Sequence, residues 1–410
     1  MPRIYKYTGS TPPESDLTPD MQPSPSSRLD AVTTYYFADK LREIAAMEAA
    51  GTKVINLGIG SPDLPPHPEV INALAAAAAN PANHGYQSYR GIPELRRAFS
   101  AWYGRTYGVQ PDPESEVLPL IGSKEGIMHL SMAFLQKGDC ALVPDPGYPT
   151  YAAATRLAGG NVVHYDLTPE RGYFPDLEAL GQTDLTKVKL MWVNYPHMPT
   201  GARASRAQLS ALIRFAERHR ILLCHDNPYN AILNPDPVSI MSLPGGRDHA
   251  VELNSLSKTF NMAGWRIGVM TGKKEIIDTV VKFKSNMDSG MFKPLQIAAV
   301  TALEAGPEWM NALNAVYAKR RSTAVALIQR LGCTPEPDQS GLFLWAAMPP
   351  RFETAEILTE HVLHRYGVFL VPGRVFGRNG ERHLRISLCA KNSVLRAALN
   401  RIAPFNPEEV

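Results

Sequence analysis

The chain has 410 residues, 44% of them hydrophobic and 20% charged, a composition that excludes a disordered chain, a collagen-like fibre and a disulfide-knotted miniprotein. Lys and Arg number 42 against 39 Asp and Glu, so the formal charge of +3 offers no basic excess for a nucleic-acid partner. The length suggests two or three domains. Cys140, Cys224, Cys333 and Cys389 are scattered without a CxxC pair and frame neither a disulfide scaffold nor a metal site. No run approaches the roughly 18 apolar residues of a membrane span. These features predict reduced thiols and a cytoplasmic protein.

In chain order, residues 1–33 form an arm rich in Pro, Ser and Thr, without a signal-peptide core. Residues 38–50 read as a helix stopped by Gly51. The strand predicted at 53–57 runs into Gly58-Ile-Gly60-Ser-Pro-Asp63. That turn lacks a third glycine, and the prolines at 62, 65, 66 and 68 block an immediate helix, so it is no dinucleotide-binding loop. From 93 to 248, short apolar runs at 140–143, 161–165, 190–193 and 221–224 alternate with amphipathic stretches such as 209–219. This α/β alternation predicts a mainly parallel sheet covered on both faces, with ligands at the carboxyl ends of its strands. Residues 285–305 turn helical, 309–329 read as one long helix, and 333–402 alternate again as a smaller α/β domain.

Chemistry gathers at the strand ends. Asn194-Tyr-Pro-His-Met-Pro-Thr-Gly201 follows one run and His225-Asp226-Asn-Pro-Tyr229 the next. Ser255-Leu-Ser-Lys258 follows a third, with Lys258 lying 32 residues after Asp226 and Arg266 eight beyond that. A lysine, a carboxylate and phosphate donors are the three groups that pyridoxal phosphate asks for.

SLSKTFNMAGWRIG resembles the lysine motif of the class I/II aminotransferases, pyridoxal-phosphate enzymes of fold type I. GYQSYRGIPELR, GSKEG, PDPGYPTY, YPHMPTGA, HDNPY and LRISL follow in that family's order. LGIGSPDLPP, GSKEG, VPDPGYP and DSGMFKPLQIAA look most like the LL-diaminopimelate aminotransferase group. The resemblance implies a large domain with a mainly parallel seven-stranded sheet between helices, and a smaller α/β domain. It places the arm at 1–33, the N-terminal part of the small domain at 34–64, the large cofactor domain at 65–305 and the small C-terminal domain at 306–410.

By the same resemblance, Lys258 is the amine joined to the cofactor aldehyde and the base and acid that moves a proton between substrate Cα and cofactor C4′. Asp226 pairs with the ring nitrogen, Tyr229 with the ring's 3′ oxygen, and Tyr148 stacks on the ring. Ser123, the Lys124 amide, Ser255, Ser257 and Arg266 hold the phosphate. Tyr86 reaches the phosphate of a neighbouring subunit, implying a homodimer with shared active sites. Arg385 clamps the substrate α-carboxylate, assisted by backbone near Gly60. The family has Asn before Pro-Thr-Gly, donating to the 3′ oxygen; here Met198 stands there, and a thioether cannot donate. Tyr229 then tunes the site alone, or Asn194 or His197 compensates.

His225 either orients Asp226 or is a satisfied core histidine. Glu125, Arg90 and Lys293 either read a second substrate charge or are solvated. No metal cluster is visible among the 11 scattered histidines. The implied reaction moves an amino group from an amino acid to a 2-oxo acid, both small molecules, with LL-diaminopimelate and 2-oxoglutarate as candidates. A β- or γ-eliminating lyase or cyclase is the alternative on the same fold. A non-enzymatic sensing domain is disfavoured by the presence of Lys258.

Overall fold

The computed structural model describes residues 24–32 and 36–409. Most of the expected arm therefore lies outside the described residues. At the centre is a seven-stranded sheet in the order Val117–Leu120, Gly268–Gly272, Ala250–Ser255, Leu222–Asp226, Val188–Val193, Cys140–Asp145, Asn161–Asp166. Six strands run parallel. Gly268–Gly272 is antiparallel to both of its neighbours. The alternation of apolar runs and helices thus leads to the mostly parallel sheet expected of it.

Burial explains the continuous apolar runs. Ala141, Val143, Leu190, Trp192, Cys224 and Leu253 pack on one face of the sheet, with helices Ser123–Phe134, Pro149–Leu157 and Lys274–Lys284. Leu142, Met191, Val193, Leu223 and Val269 pack on the other face. Two strands of this central sheet escape the sequence reading. Val117–Leu120 contains Pro119, which cannot donate to a ladder, but this strand is at the sheet edge and pairs on one side alone. Gly268–Gly272 begins and ends with glycine and reads as loop, although all five of its residues are buried.

Beyond the sheet, Pro307–Arg330 is the long helix expected there, and it packs on Asn392–Arg401. A four-stranded sheet contains Phe343–Ala347 and His383–Ser387 as antiparallel partners. The strand expected at 53–57 shrinks to Ile55–Asn56, paired in parallel with Val368–Phe369. The apolar run at 368–371 is divided, because Val371–Pro372 pairs with His383–Ser387 instead. No helix among the described residues is long and apolar enough to cross a membrane.

Candidate active site

The carboxyl ends of the parallel strands open on a cavity of about 310 Å³. Its wall brings together Gly60, Ser123, Lys124, Tyr148, Asn194, Asp226, Tyr229, Ser255, Ser257, Lys258, Arg266 and Arg385. These are all the predicted site residues except Tyr86, which is 92% exposed and lies on no part of this wall. Sheet register explains the convergence. Asp226 ends its strand opposite Leu253, two residues before Ser255, while Leu120 and Ser255 both pair with Gly268.

Close backbone approach shapes one end of the cavity. Gly122 precedes helix Ser123–Phe134 at φ +78°, and a Cβ there would stand 2.2 Å from the Arg266 guanidinium. A Cβ on Gly268 would come within 2.7 Å of the Ser123 amide nitrogen. Two glycines therefore let Arg266 and the unpaired N–H groups of a 12-residue helix share one small volume. Arg266 donates to Ser257 Oγ at 3.4 Å and to the Ala263 carbonyl at 2.9 Å. It adopts the left-handed conformation at φ +57°, which costs a non-glycine residue about 1 kcal/mol or more. Burial, and then the repulsion of Arg266, hold the Lys124 ammonium below its ordinary range.

At the opposite end, Asp226 is buried. Its Oδ2 accepts from the Tyr151 hydroxyl at 2.8 Å, while Oδ1 has no hydrogen-bond partner. Burial raises its carboxyl from the ordinary 3.8 to about 6, with the Tyr151 hydrogen bond and His225 opposing the rise. Tyr151 is stacked on Trp192 at 5.1 Å between ring centres and meets Tyr148 edge-on at 5.6 Å. Sequence reasoning missed Tyr151, although its place three residues after Tyr148, with Pro149 opening the helix, was a usable signal.

Lys258 is half-buried and donates to the Gly60 carbonyl at 2.6 Å. Burial lowers its basicity, and Arg385 and Arg266 lower it further, although Cys389 works the other way. Arg385 comes from the middle of strand His383–Ser387 and is 4% exposed. It donates to the Gly58 carbonyl at 2.7 Å and to Met198 Sδ at 3.4 Å. The rings of Phe343, Phe376 and Phe37 lie 3.9, 4.5 and 5.6 Å from its guanidinium carbon. These three phenylalanines line the cavity and were not anticipated, because they converge from three distant segments.

The open alternatives resolve by geometry. His225 sits one residue before Asp226 and faces the other side of the sheet, where Nδ1 meets Glu252 Oε2 at 2.9 Å and Nε2 meets the Tyr195 carbonyl at 3.1 Å. It is a satisfied core histidine. His197 is buried, pairs with Thr200 Oγ1 at 2.8 Å, is pushed down to about 3 by burial, and is not on the wall. It does not compensate for Met198. Asn194 donates to the Asp226 backbone carbonyl and accepts from the Met198 amide at 2.7 Å, so it ties two parts of the wall together.

Of the three residues offered as readers of a second charge, none lines the cavity. Glu125 is bound to His129 Nε2 at 2.8 Å and Lys284 Nζ at 2.9 Å, and these contacts overcome its burial to hold it at about 2. Arg90 contacts Asp278. Lys293 opens helix Lys293–Leu303. Two groups of possible metal ligands do exist among the described residues: Glu43, Glu360 and His364, and Glu125, His129 and Asp288. In each, a lysine ammonium, Lys40 or Lys284, already bridges the two carboxylates.

Residues 52–402 match the family described as aminotransferase class I and II. The chain is 39% identical over 385 residues to the LL-diaminopimelate aminotransferase of Dehalococcoides mccartyi, covering 93% of this chain and 99% of that relative. It is 41% identical over 381 residues to the protein of the same name from Oleidesulfovibrio alaskensis, covering 92% and 98%. Among solved structures, substrate-bound BacF from Bacillus subtilis matches with a TM-score of 0.89 at 39% identity, over 94% of this chain and 98% of that one. A single mutant of Thermus thermophilus aspartate aminotransferase matches with a TM-score of 0.85 at 28% identity, over 93% and 100%. These relatives are aminotransferases by name or fold, which does not favour the eliminating lyase or cyclase. The chain belongs to the class I and II aminotransferases, pyridoxal-phosphate-dependent enzymes of fold type I.

Proposed function

We propose that this cavity holds pyridoxal phosphate and moves an amino group from an amino acid to a 2-oxo acid, with the wall residues in the following roles. The observation that carries the reading is the buried, unpartnered Asp226 Oδ1 on the same 310 Å³ cavity as a basicity-depressed Lys258. A buried acceptor of this kind is costly unless a cation meets it, and a protonated ring nitrogen is such a cation. The opposite end suits a dianion: helix N–H groups at Ser123 and Lys124, hydroxyls of Ser255 and Ser257, and the Arg266 guanidinium. When bound, the cofactor supplies an aldehyde that takes up the amino group and a ring that draws electrons from the substrate Cα.

Lys258 Nζ would be the amine that tethers the aldehyde and, once released by substrate, would take the proton from Cα and hand it to the carbon that had carried the aldehyde. Its lowered basicity keeps more of the amine neutral and able to do both. Tyr151 fixes the Asp226 carboxylate, and Asn194 fixes the backbone on which Asp226 and Met198 sit. Tyr148 faces the ring. Tyr229, whose hydroxyl is driven upward by burial, keeps its proton and donates it toward the ring oxygen. Arg385 takes the substrate α-carboxylate, exchanging the weak thioether acceptor of Met198 for an anion.

The same reading includes a homodimer in which Tyr86 serves the neighbour's phosphate site. Its 92% exposure and its separation from its own cavity support this. The large unit spans 65–305, with 34–64 and 306–410 as the small domain, supported by the pairing of Ile55–Asn56 with Val368–Phe369. Four free cysteines are consistent with a cytoplasmic home. The test is a spectrum of the purified protein as amino acids are added. The reading expects the tethered cofactor's absorbance to convert to the aminated form and to return with a 2-oxo acid. Ammonia release in place of that conversion would establish elimination instead.

A further inference from the structure

We infer that Glu125, Lys284 and Asp288 form a buried positioning network between the chain's own phosphate-binding turn and the segment bearing Tyr86, and that through it each subunit sets how firmly its neighbour holds the cofactor. This rests on the phosphate and dimer roles just proposed. Glu125 stands two residues after Ser123 and touches both ends of the turn. Its Oε2 accepts from the amide of Ile121, the residue before Gly122, and its own amide donates to the Gly122 carbonyl at 3.1 Å. Its Oε1 meets His129 Nε2 at 2.8 Å and Lys284 Nζ at 2.9 Å. The Glu125 carboxylate thus pins the backbone that leads into the helix N–H groups at Ser123 and Lys124.

From Lys284 the contacts continue toward Tyr86. Lys284 ends helix Lys274–Lys284 with its side chain 3% exposed, and it pairs Asp288 as well as Glu125. Asp288 Oδ1 accepts from the Gly290 amide at 2.8 Å. Gly290, at φ +84°, lies against the Tyr86 segment: a Cβ there would stand 2.5 Å from the Gln87 carbonyl oxygen and 3.0 Å from that of Ser88. Gln87 follows Tyr86 directly, and its side chain donates back to the Gly85 carbonyl at 2.8 Å. The same helix grips this segment a second time, where Asp278 meets Arg90. Gln296 adds a third tie, accepting from the Ile92 amide at 2.8 Å and donating to the Met291 carbonyl at 2.6 Å. Contacts therefore run unbroken from Ile121 to Gln87. Buried charges of this kind hold their geometry only together, because removing one strands the others. Glu125 and Arg90, which stand off the cavity wall, both belong to this frame.

The experiment uses hybrid dimers of two full-length chains, one carrying Lys258→Ala, so that a single site per dimer tethers pyridoxal phosphate. The dissociation constant of that site is read from the tethered cofactor's absorbance. Asp288→Ala leaves Lys284 paired with Glu125 and removes the tie to Gly290. Placed on the Lys258→Ala chain, it acts on the working site through Tyr86 alone, and we expect the dissociation constant to rise about 5-fold or more. Placed on the chain with the working lysine, it should leave that constant within 2-fold (about 0.4 kcal/mol). Lys284→Met, which strands Glu125 as well, should weaken binding in both arrangements. No effect of Asp288→Ala from the Lys258→Ala chain, or an equal effect from either chain, would overturn the inference. Should Lys284→Met fail to assemble, the two Asp288→Ala hybrids still decide. Tyr86→Phe on the Lys258→Ala chain separates this from failure of the underlying reading. Weaker cofactor binding there upholds the shared site whatever Asp288→Ala does, and unchanged binding overturns the shared site and the network's role together.

Discussion

Strand Leu222–Asp226 ends in two adjacent polar residues that face opposite sides of one sheet, and their surroundings differ in a single respect. On the His225 side, Glu252 is fully satisfied: Oε1 accepts from Tyr103 and Ser239 hydroxyls at 2.9 Å each, and Oε2 meets His225 and the Ile240 amide. On the Asp226 side, one carboxylate oxygen is held by Tyr151 and the other is held by nothing. Both sites are buried and both contain charge. The first spends its polar groups on the fold, and the second leaves one open at a cavity. Unsatisfied valence beside a satisfied network marks where a ligand belongs, and it distinguishes two residues that sequence spacing alone treats alike.

The comparison is broken most decisively at Asp226. Asp226→Asn is expected to lower kcat/KM by ~10²–10³-fold and to weaken cofactor retention, read by absorbance after dialysis. The cofactor-free protein should respond in the opposite sense. Because burial raises Asp226 in the fold to about 6, its contribution to stability is full below the ordinary carboxylate range and is lost as pH rises through about 6. Free of cofactor, Asp226→Asn should therefore be the more stable protein at pH 8, by up to about 3 kcal/mol, and nearly equal to wild type at pH 4. Denaturant titration at the two pH values reads this directly. A variant less stable at pH 8 would mean that Asp226 serves the fold as Glu252 does.

Glu252→Gln is the mirror experiment. It leaves His225 without its anion and should cost about 3 kcal/mol in denaturant unfolding, while the folded fraction keeps the wild-type spectrum on binding cofactor. Tyr151→Phe sharpens the contrast at smaller scale. Losing one hydrogen bond to the Asp226 carboxylate should reduce kcat by ~10-fold and raise the Asp226 titration further, with stability changed by about 1 kcal/mol. Unaltered kcat would remove Tyr151 from the positioning role. Smallest is Met198→Asn, expected to change KM for substrate by a few-fold with kcat nearly constant, because the thioether is a weak acceptor that Arg385 readily exchanges.

The mainly parallel sheet and the strand-end set Asp226, Lys258 and Arg266 were legible because both are local. A short apolar run identifies a buried strand, and the residue after it is placed by the chain itself. Pro119 hid a strand that tolerates it by lying at the sheet edge, and that position is a fact of sheet order and not of sequence. Phe37, Phe343 and Phe376 could not be read as one wall, since segments more than 300 residues apart build it around Arg385. Glu125 looked available for substrate because Lys284, its partner, lies 159 residues away. Partners distant in sequence decide whether a polar side chain is free, and spacing carries no record of them.

The central claim is that one lysine of this cavity carries the cofactor. Borohydride reduction of the purified holoenzyme, followed by proteolysis and mass spectrometry, tests it most directly. The account predicts a pyridoxyl adduct on Lys258 and on no other lysine. An adduct at another lysine, or none on a protein that visibly holds the cofactor, would contradict it.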